Sequence, residues 1–430
     1  MDALSRRTLL AAGAATAAAV TAGCGSARTT KSDAAPAPAA GSAAASSPAA
    51  VPAKPPAALI GDGSTSDTGP QPHQPQAVPL ELGQRPPQFV VFSWDGAGEV
   101  DNKQFSRFRQ LAKDHNAAMT FFLSGIYTLP ESKKDLYHPP QHHVGASDIG
   151  YLSDQHIHDT LVQVGAAWLD GHEIGTHFNG HFCGANGGGR WSPEEWNSEI
   201  DQAVDFVVNW KTNTGFTDLP ALPFDYHKEL IGGRTPCLEG QRGLLPTAAA
   251  RGWKYDSSGP GGLQMWPQKI QGGALWDMPL QSVPFPGHSF QVLSMDYNIM
   301  YNQSGDNTKG NSGMYAAWQT QARDAYLAGF NRAYNGNRAP MIIGNHFEQW
   351  NGGIYMNAVE EVLKTVADKP EVRLVSFRQL VQWLEVQDPA VLRKLQTLAP
   401  GEIPAGGWSS FLGAGTAPAG AATAPAGATR

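Results

Sequence analysis

From Gln88 onward, short apolar runs alternate with stretches whose apolar residues recur at helical spacing. This alternation restricts the fold more than any other feature of the chain. Gln88-Phe-Val-Val-Phe-Ser-Trp94 is a compact β-rich run ending at Asp95-Gly96, and Phe105, Phe108, Leu111 and Ala112 follow at helical spacing. A second apolar strand is predicted at 118–123. After a polar loop over 126–152 and a helix ending at Gly171, a third strand is predicted at Glu173–Thr176. Ser192-Pro193-Glu194-Glu195 combines a capping-box Ser and Glu with Pro at the first helical position. Further strands are expected at 253–256, 276–280, 291–300, 341–343 and 371–375, and helices at 312–334 and 354–367. Strands alternating with helices predict an α/β fold built on a parallel sheet or barrel.

The chain has 430 residues, 41% of them hydrophobic, enough for a full core in one large or two ordinary domains. Its apolar residues are unevenly placed. Residues 25–86 and 399–430 consist mostly of Ala, Pro, Ser, Gly and Thr, which cannot bury enough apolar surface to offset their ordering entropy. They are expected to be a disordered tether and tail around a folded domain at 87–398. The first 24 residues read as an export signal. Ser5-Arg6-Arg7-Thr8-Leu9-Leu10 is a twin-arginine pattern, followed by an Ala-rich run too small-residued for a membrane span. Val20-Thr-Ala-Gly-Cys24 resembles a lipobox, so Cys24 is expected to carry a lipid that anchors the exported protein at the cell envelope. Cleavage and plain secretion is the alternative. The net charge of −7 is spread out without a basic patch, which argues against a nucleic-acid partner. A monomer is expected.

Asp95, His177, Arg234, Asp256 and His346 all sit at or just past the C-terminal end of a predicted strand. In a parallel α/β barrel those ends share one face, where ligands and chemistry collect. His177 and His181 lie four residues apart between glycines, a spacing at which two neutral imidazoles can reach one cation. His172-Glu173 followed by His177 has one residue too many for the H-E-x-x-H zinc-protease helix. Beyond Cys24, Cys183 and Cys237 form an even pair, a disulfide candidate in an oxidising compartment. His138, His142 and His143 have no matching ligand spacing and are expected to be exposed or to face a substrate.

These residues, in this order, resemble the motif series of the polysaccharide deacetylases of carbohydrate esterase family 4, the NodB-homology domain, over residues 87–385. The most specific part is Gly171-His-Glu-Ile-Gly-Thr-His-x-x-x-His181. Arg234-Thr-Pro236, Tyr255-Asp256-Ser257-Ser258 and His346 match later motifs of the series. The resemblance implies an irregular (β/α) barrel, usually of seven strands. It also implies a divalent metal, Zn²⁺ as the expected ion, held by Asp95, His177 and His181. By position, Arg234 would orient a carboxylate base, His346 would protonate the leaving amine, and Asp256 would hold His346. The implied activity is removal of acetyl groups from an N-acetylated envelope glycan. Trp94 and Trp350 would contact sugar rings, and Trp191 is undecided.

One position departs from the pattern. The family's first motif is Thr-Phe-Asp-Asp-Gly, whereas here Phe92-Ser93-Trp94-Asp95-Gly96 puts Trp94 where the base belongs. An indole N–H donates and cannot accept a proton from water. Three arrangements stay open: Glu99 or Asp101 supplies the base; Asp95 serves as base while another group takes the metal; or the domain binds glycan without hydrolysing it. Glu99 is the first choice for base. Asp296-Tyr297 could line the same groove, with a structural strand the favoured reading.

Overall fold

The computed structural model describes residues 57–413. The signal-like segment with Cys24 and the end of the tail lie outside the described residues. Four parallel strands form the main sheet: β1 (Gln88–Asp95), β2 (Thr120–Leu123), β3 (Glu173–Thr176) and β6 (Met341–His346), in the order β6-β1-β2-β3. β4 (Tyr255–Asp256) and β5 (Leu275–Asp277) pair in parallel on the other side. β7 (Val372–Leu374) pairs in parallel with the start of β1.

Single backbone contacts join these sheets into an irregular barrel. Thr176 bridges Gly233, where a Cβ would stand 2.6 Å from the Thr176 carbonyl oxygen, so the approach requires glycine. The Ser257 N–H then donates to the Gly233 carbonyl, and the Met278 N–H to Asp256. The circuit closes through Ser294, whose N–H donates to Gln281 and whose carbonyl accepts from the Gly344 N–H. Seven chain segments surround the barrel: β1, β2, β3, residues 231–234, β4, β5 and β6. The irregularity has a local cause, since the 231–234 segment and β4 are too short to form regular ladders.

β1 is buried on both faces, and its alternation sorts its side chains. Phe89 and Val91 join Phe122, Tyr255, Trp276, Leu280 and Ile342 in one cluster. Val90, Phe92 and Trp94 join the other, with Phe105 and Phe108 of the first helix, α1 (Gln104–Asp114), and Val359 and Val362 of a later helix. Trp94 is fully buried there, its ring centroid 4.9 Å from Phe108, 5.6 Å from Phe121 and 5.5 Å from Phe347. Aromatic pairs at such distances contribute about 0.5–1.5 kcal/mol each beyond area burial.

Three sequence expectations need correcting. Residues 57–86 are ordered against the barrel, not part of a tether. Ala58–Ile60 and Thr65–Asp67 pair antiparallel, and the Gln71 side-chain amide donates to the carbonyls of Trp168 and His172. The tail holds a helix at Gly407–Gly413 with Leu412 buried. The strand expected at 291–300 is instead a short strand, Gln291–Leu293, followed by a helix, Asp296–Ser304.

Candidate active site

Asp95 and His346 end two neighbouring strands in direct register. His177 and Arg234 follow β3 and its bridge to Gly233, so the topology brings the four to one mouth of the barrel. Arg234 is the most enclosed of them, with no exposed side-chain surface. Its Nη1 donates to Asp95 Oδ1 at 2.8 Å and to Ser93 Oγ at 2.9 Å. Its Nε donates to the Ser257 carbonyl and its Nη2 to Ser257 Oγ. Ser93 and Asp95 therefore share the inward face of β1, opposite Phe92 and Trp94. Burial alone would raise the Asp95 carboxyl, but Arg234, His177 and His346 together hold it below the usual carboxylate range.

His177 Nδ1 contacts the Arg234 carbonyl oxygen at 2.7 Å. A proton on Nδ1 satisfies that contact and leaves Nε2 with a lone pair. Nε2 is buried and has no hydrogen-bond partner. Burial pushes the His177 imidazole down, and pulls His181 down to about 3, so both rings are neutral near pH 7. Their centroids are 5.2 Å apart. The loop joining them is tightly turned: Phe178 and His181 both have left-handed backbones, at φ 60° and 58°. Beneath it, Tyr137 and Asn179 bind the buried Glu199 carboxylate, and burial pushes that carboxyl up to about 7.

The structure joins Cys183 and Cys237 in a disulfide with Cα atoms 6.0 Å apart. The bond fastens the loop after His181 to the loop after Arg234. Among the described residues, the His, Cys, Asp and Glu side chains whose ligand atoms all lie within 4.8 Å of one another are His181, Cys183 and Cys237. Disulfide sulfurs are not thiolate ligands, so this cluster is a histidine beside a crosslink. Replacing both cysteines by Ser is expected to cost about 4 kcal/mol of stability for a bond closing a 54-residue separation. Urea unfolding of oxidised wild type against the double variant measures it.

His346 pairs with Asp296, and this corrects the expected role of Asp256. His346 Nδ1 meets Asp296 Oδ1 at 2.8 Å, and the His346 backbone N–H donates to Oδ2 at 2.7 Å. Burial would lower the imidazole, but Asp296, with Asp95 and Glu348 behind it, raises it to about 9. Asp256 is engaged elsewhere. Its oxygens accept from the N–H and Oγ of Ser258, whose Oγ also accepts from the Thr235 N–H. Asp256 thus braces the loop carrying Arg234, and burial pushes its carboxyl up to about 6.

Glu99 does not replace the missing base. It is buried, and its two oxygens accept from the Oγ and N–H of Ser106 in the first turn of α1. Asp101 points away, 97% exposed and bound to His156. Trp94 is not a ligand-facing residue, because the parity of β1 turns it into the aromatic core. Trp350 does stand at the mouth: half-buried, with its ring 5.2 Å from His346 and 5.9 Å from Tyr297. Tyr297 in turn lies 6.3 Å from the exposed Tyr301. Trp191 is buried against Trp196. His142 stacks on Phe182 and contacts the Asn186 carbonyl. Asp296, for which the sequence favours a structural strand, is instead the partner of His346.

No protein-family model matches the chain, and no curated protein does. Thirty-two solved chains match in structure. A probable polysaccharide deacetylase from Pseudomonas aeruginosa is 13% identical, with TM-score 0.42, over 70% of this chain and 92% of its own. The peptidoglycan deacetylase PdaC from Bacillus subtilis is 12% identical, with TM-score 0.34, over 70% of this chain and 92% of its own. A mutant of a CE4 family pseudoenzyme is 10% identical, with TM-score 0.37, over 72% of each chain.

Proposed function

We propose that this chain is a metal-dependent hydrolase that removes acetyl groups from an N-acetylated cell-envelope polysaccharide. The observation that carries the reading is the shared mouth: a carboxylate fixed by a buried arginine, two neutral imidazoles, and a protonated histidine with its own carboxylate partner. That is an inventory for splitting an amide, which needs an electrophile for the carbonyl and an acid for the leaving nitrogen.

A divalent cation, with Zn²⁺ the expected ion, is part of this proposal, and it is supported by donor chemistry and not by spacing: the ligand atoms of Asp95, His177 and His181 do not all lie within 4.8 Å of one another. His177 supports this most strongly, because its Nδ1 is engaged by a backbone carbonyl while Nε2 is buried without a partner. His181 and Asp95 would complete the set, Asp95 using the oxygen that Arg234 leaves. A bound cation would supply Lewis acidity toward the acetamide carbonyl and the attacking water. Arg234 holds the Asp95 carboxylate ionised and oriented. His346 holds a proton for the leaving amine, with Nδ1 toward Asp296 and Nε2 free to donate. Trp350 offers an aromatic face beside it for a sugar ring. We further propose that the protein is exported and lipid-anchored through Cys24.

A second reading is a non-catalytic, metal-containing glycan-binding lipoprotein. Trp94 favours it, because the position beside Asp95 has no proton acceptor and Glu99 is engaged by Ser106. Acetate release from chitooligosaccharide and from peptidoglycan, with Zn²⁺ or Co²⁺ added, separates the two. The expected result is release by wild type, and loss of both release and bound metal in His177→Ala. Metal bound without release on either substrate would sink the hydrolase reading.

A further inference from the structure

Resting on the hydrolase reading, we propose that Trp350, Tyr297 and Tyr301 form a row that binds successive sugars of one pyranose chain, so that the site favours a long glycan over a short one. The row starts at the reacting group. The Trp350 ring lies 5.2 Å from His346, Tyr297 lies 5.9 Å from Trp350, and Tyr301 lies 6.3 Å from Tyr297. Exposure rises along it. Trp350 and Tyr297 are half-buried, and Tyr301 is 55% exposed. The row therefore leads from the mouth towards solvent, the path a chain longer than the site must take.

The chemistry of the surface names the occupant. The two tyrosines stand one turn apart on the helix Asp296–Ser304, a spacing that puts them on one side. Ile299 and Met300 of that helix are buried, and Tyr297, Asn298, Tyr301 and Asn302 are its more exposed residues. After Asp296, which meets His346, the helix carries no charged residue. Rings and amides without charge suit the apolar faces and hydroxyls of a neutral sugar better than a phosphate or a polyanion. Trp350 and Tyr297 meet edge to face, with 67° between their planes, which leaves each a ring face that the other does not cover.

The row is built before any sugar arrives. Trp350 opens the helix Trp350–Ala367, and Asn351, Gly352 and Gly353 follow it with left-handed backbones, at φ 50°, 78° and 80°. Asn351 is fully buried in this conformation, which is costly for a residue other than glycine. Its side chain donates to Ser304 Oγ at 3.2 Å, at the end of the tyrosine helix, and accepts from the Gly310 N–H at 2.7 Å. Its own N–H donates to the Thr308 carbonyl. These bonds tie the Trp350 turn to the tyrosine helix, so less ordering is left for binding to supply. The helix that holds His346 through Asp296 thus also presents the next two rings.

The test compares acetate release from N-acetylated chitobiose and chitopentaose, with Zn²⁺ added, by wild type, Tyr301→Ala and Tyr301→Phe. Tyr301 is exposed, so its replacement spares the core. Wild type should have the higher kcat/KM on chitopentaose. Tyr301→Ala should reduce that preference about 2–10-fold, through KM more than kcat. Tyr301→Phe keeps the ring and should keep most of the preference. An active wild type without a preference for the longer chain, or a preference that Tyr301→Ala leaves unaltered, would overturn the assignment and leave the row to a protein contact. Wild type that binds metal but releases no acetate from these or from peptidoglycan would end the hydrolase reading alone. Calorimetric titration of the same proteins with chitopentaose then decides the row: weaker binding by Tyr301→Ala supports it, and equal binding overturns it.

Discussion

Asp296→Asn is expected to bring the His346 imidazole from about 9 to its ordinary range or below, and to reduce turnover about 10²–10⁴-fold. Two opposing influences act on that ring. Burial favours the neutral form, and the Asp296 carboxylate overrides it through a 2.8 Å contact with Nδ1. Asn keeps an oxygen near the His346 backbone N–H but removes the negative charge, so desolvation is left less opposed. At neutral pH the variant then lacks the proton that the leaving amine requires. Stability carries a second signature. A histidine with a raised pKa stabilises the fold fully below its unfolded value near 6.5, and that contribution is lost as pH rises through about 9. Wild type should therefore lose stability across this window, and Asp296→Asn should show a flatter profile there. An NMR titration of the His346 ring in both proteins measures the shift directly. A ring that still titrates near 9 in the variant would remove Asp296 from its role.

The same pair shows where sequence reading reaches its limit. Asp95, His177, Arg234 and His346 were legible because each ends a predicted strand, and parallel strands bring their ends to one face. The cysteine pair was legible by arithmetic and by its closeness in sequence to those residues. Asp296 was not legible. Val292, Leu293, Met295, Ile299 and Met300 make an apolar stretch too short for periodicity to separate strand from helix. Read as a strand, it hides a helix whose first residue reaches His346. Asp256 looked right because it also ends a strand, but its neighbour Ser258 takes both its oxygens. Such short-range competition is invisible to motif spacing. Trp94 illustrates parity: Phe92 and Trp94 share one face of β1, and Asp95 lies on the other. The ordered 57–86 segment fails on composition for a different reason. It is held largely by polar groups, such as Gln71 on Trp168 and His172 and Trp210 Nε1 on the Ser64 carbonyl. An apolar count does not register these bonds.

Arg234→Met is expected to destabilise the protein by about 3–5 kcal/mol, because it strands the Asp95 carboxylate in a buried site. Arg234 and Asp95 are 0% and 2% exposed at the side chain, and methionine leaves Ser93 Oγ, Ser257 Oγ and the Ser257 carbonyl without their donor as well. The pH dependence identifies the cause. Asp95 is held below its ordinary value, so its contribution is present above the unfolded carboxylate pKa and lost as pH falls through the lower folded value. The gap between wild type and Arg234→Met should be largest near neutral pH and close as acid protonates Asp95. Arg234→Lys separates charge from geometry: an ammonium can neutralise Asp95 but cannot also reach the Ser257 groups with a planar fork. Its stability should fall between the other two. Urea unfolding of all three from acid to neutral pH makes the comparison. An Arg234→Met deficit independent of pH would mean that packing and the serine contacts, and not the ion pair, hold this residue at the centre of the site.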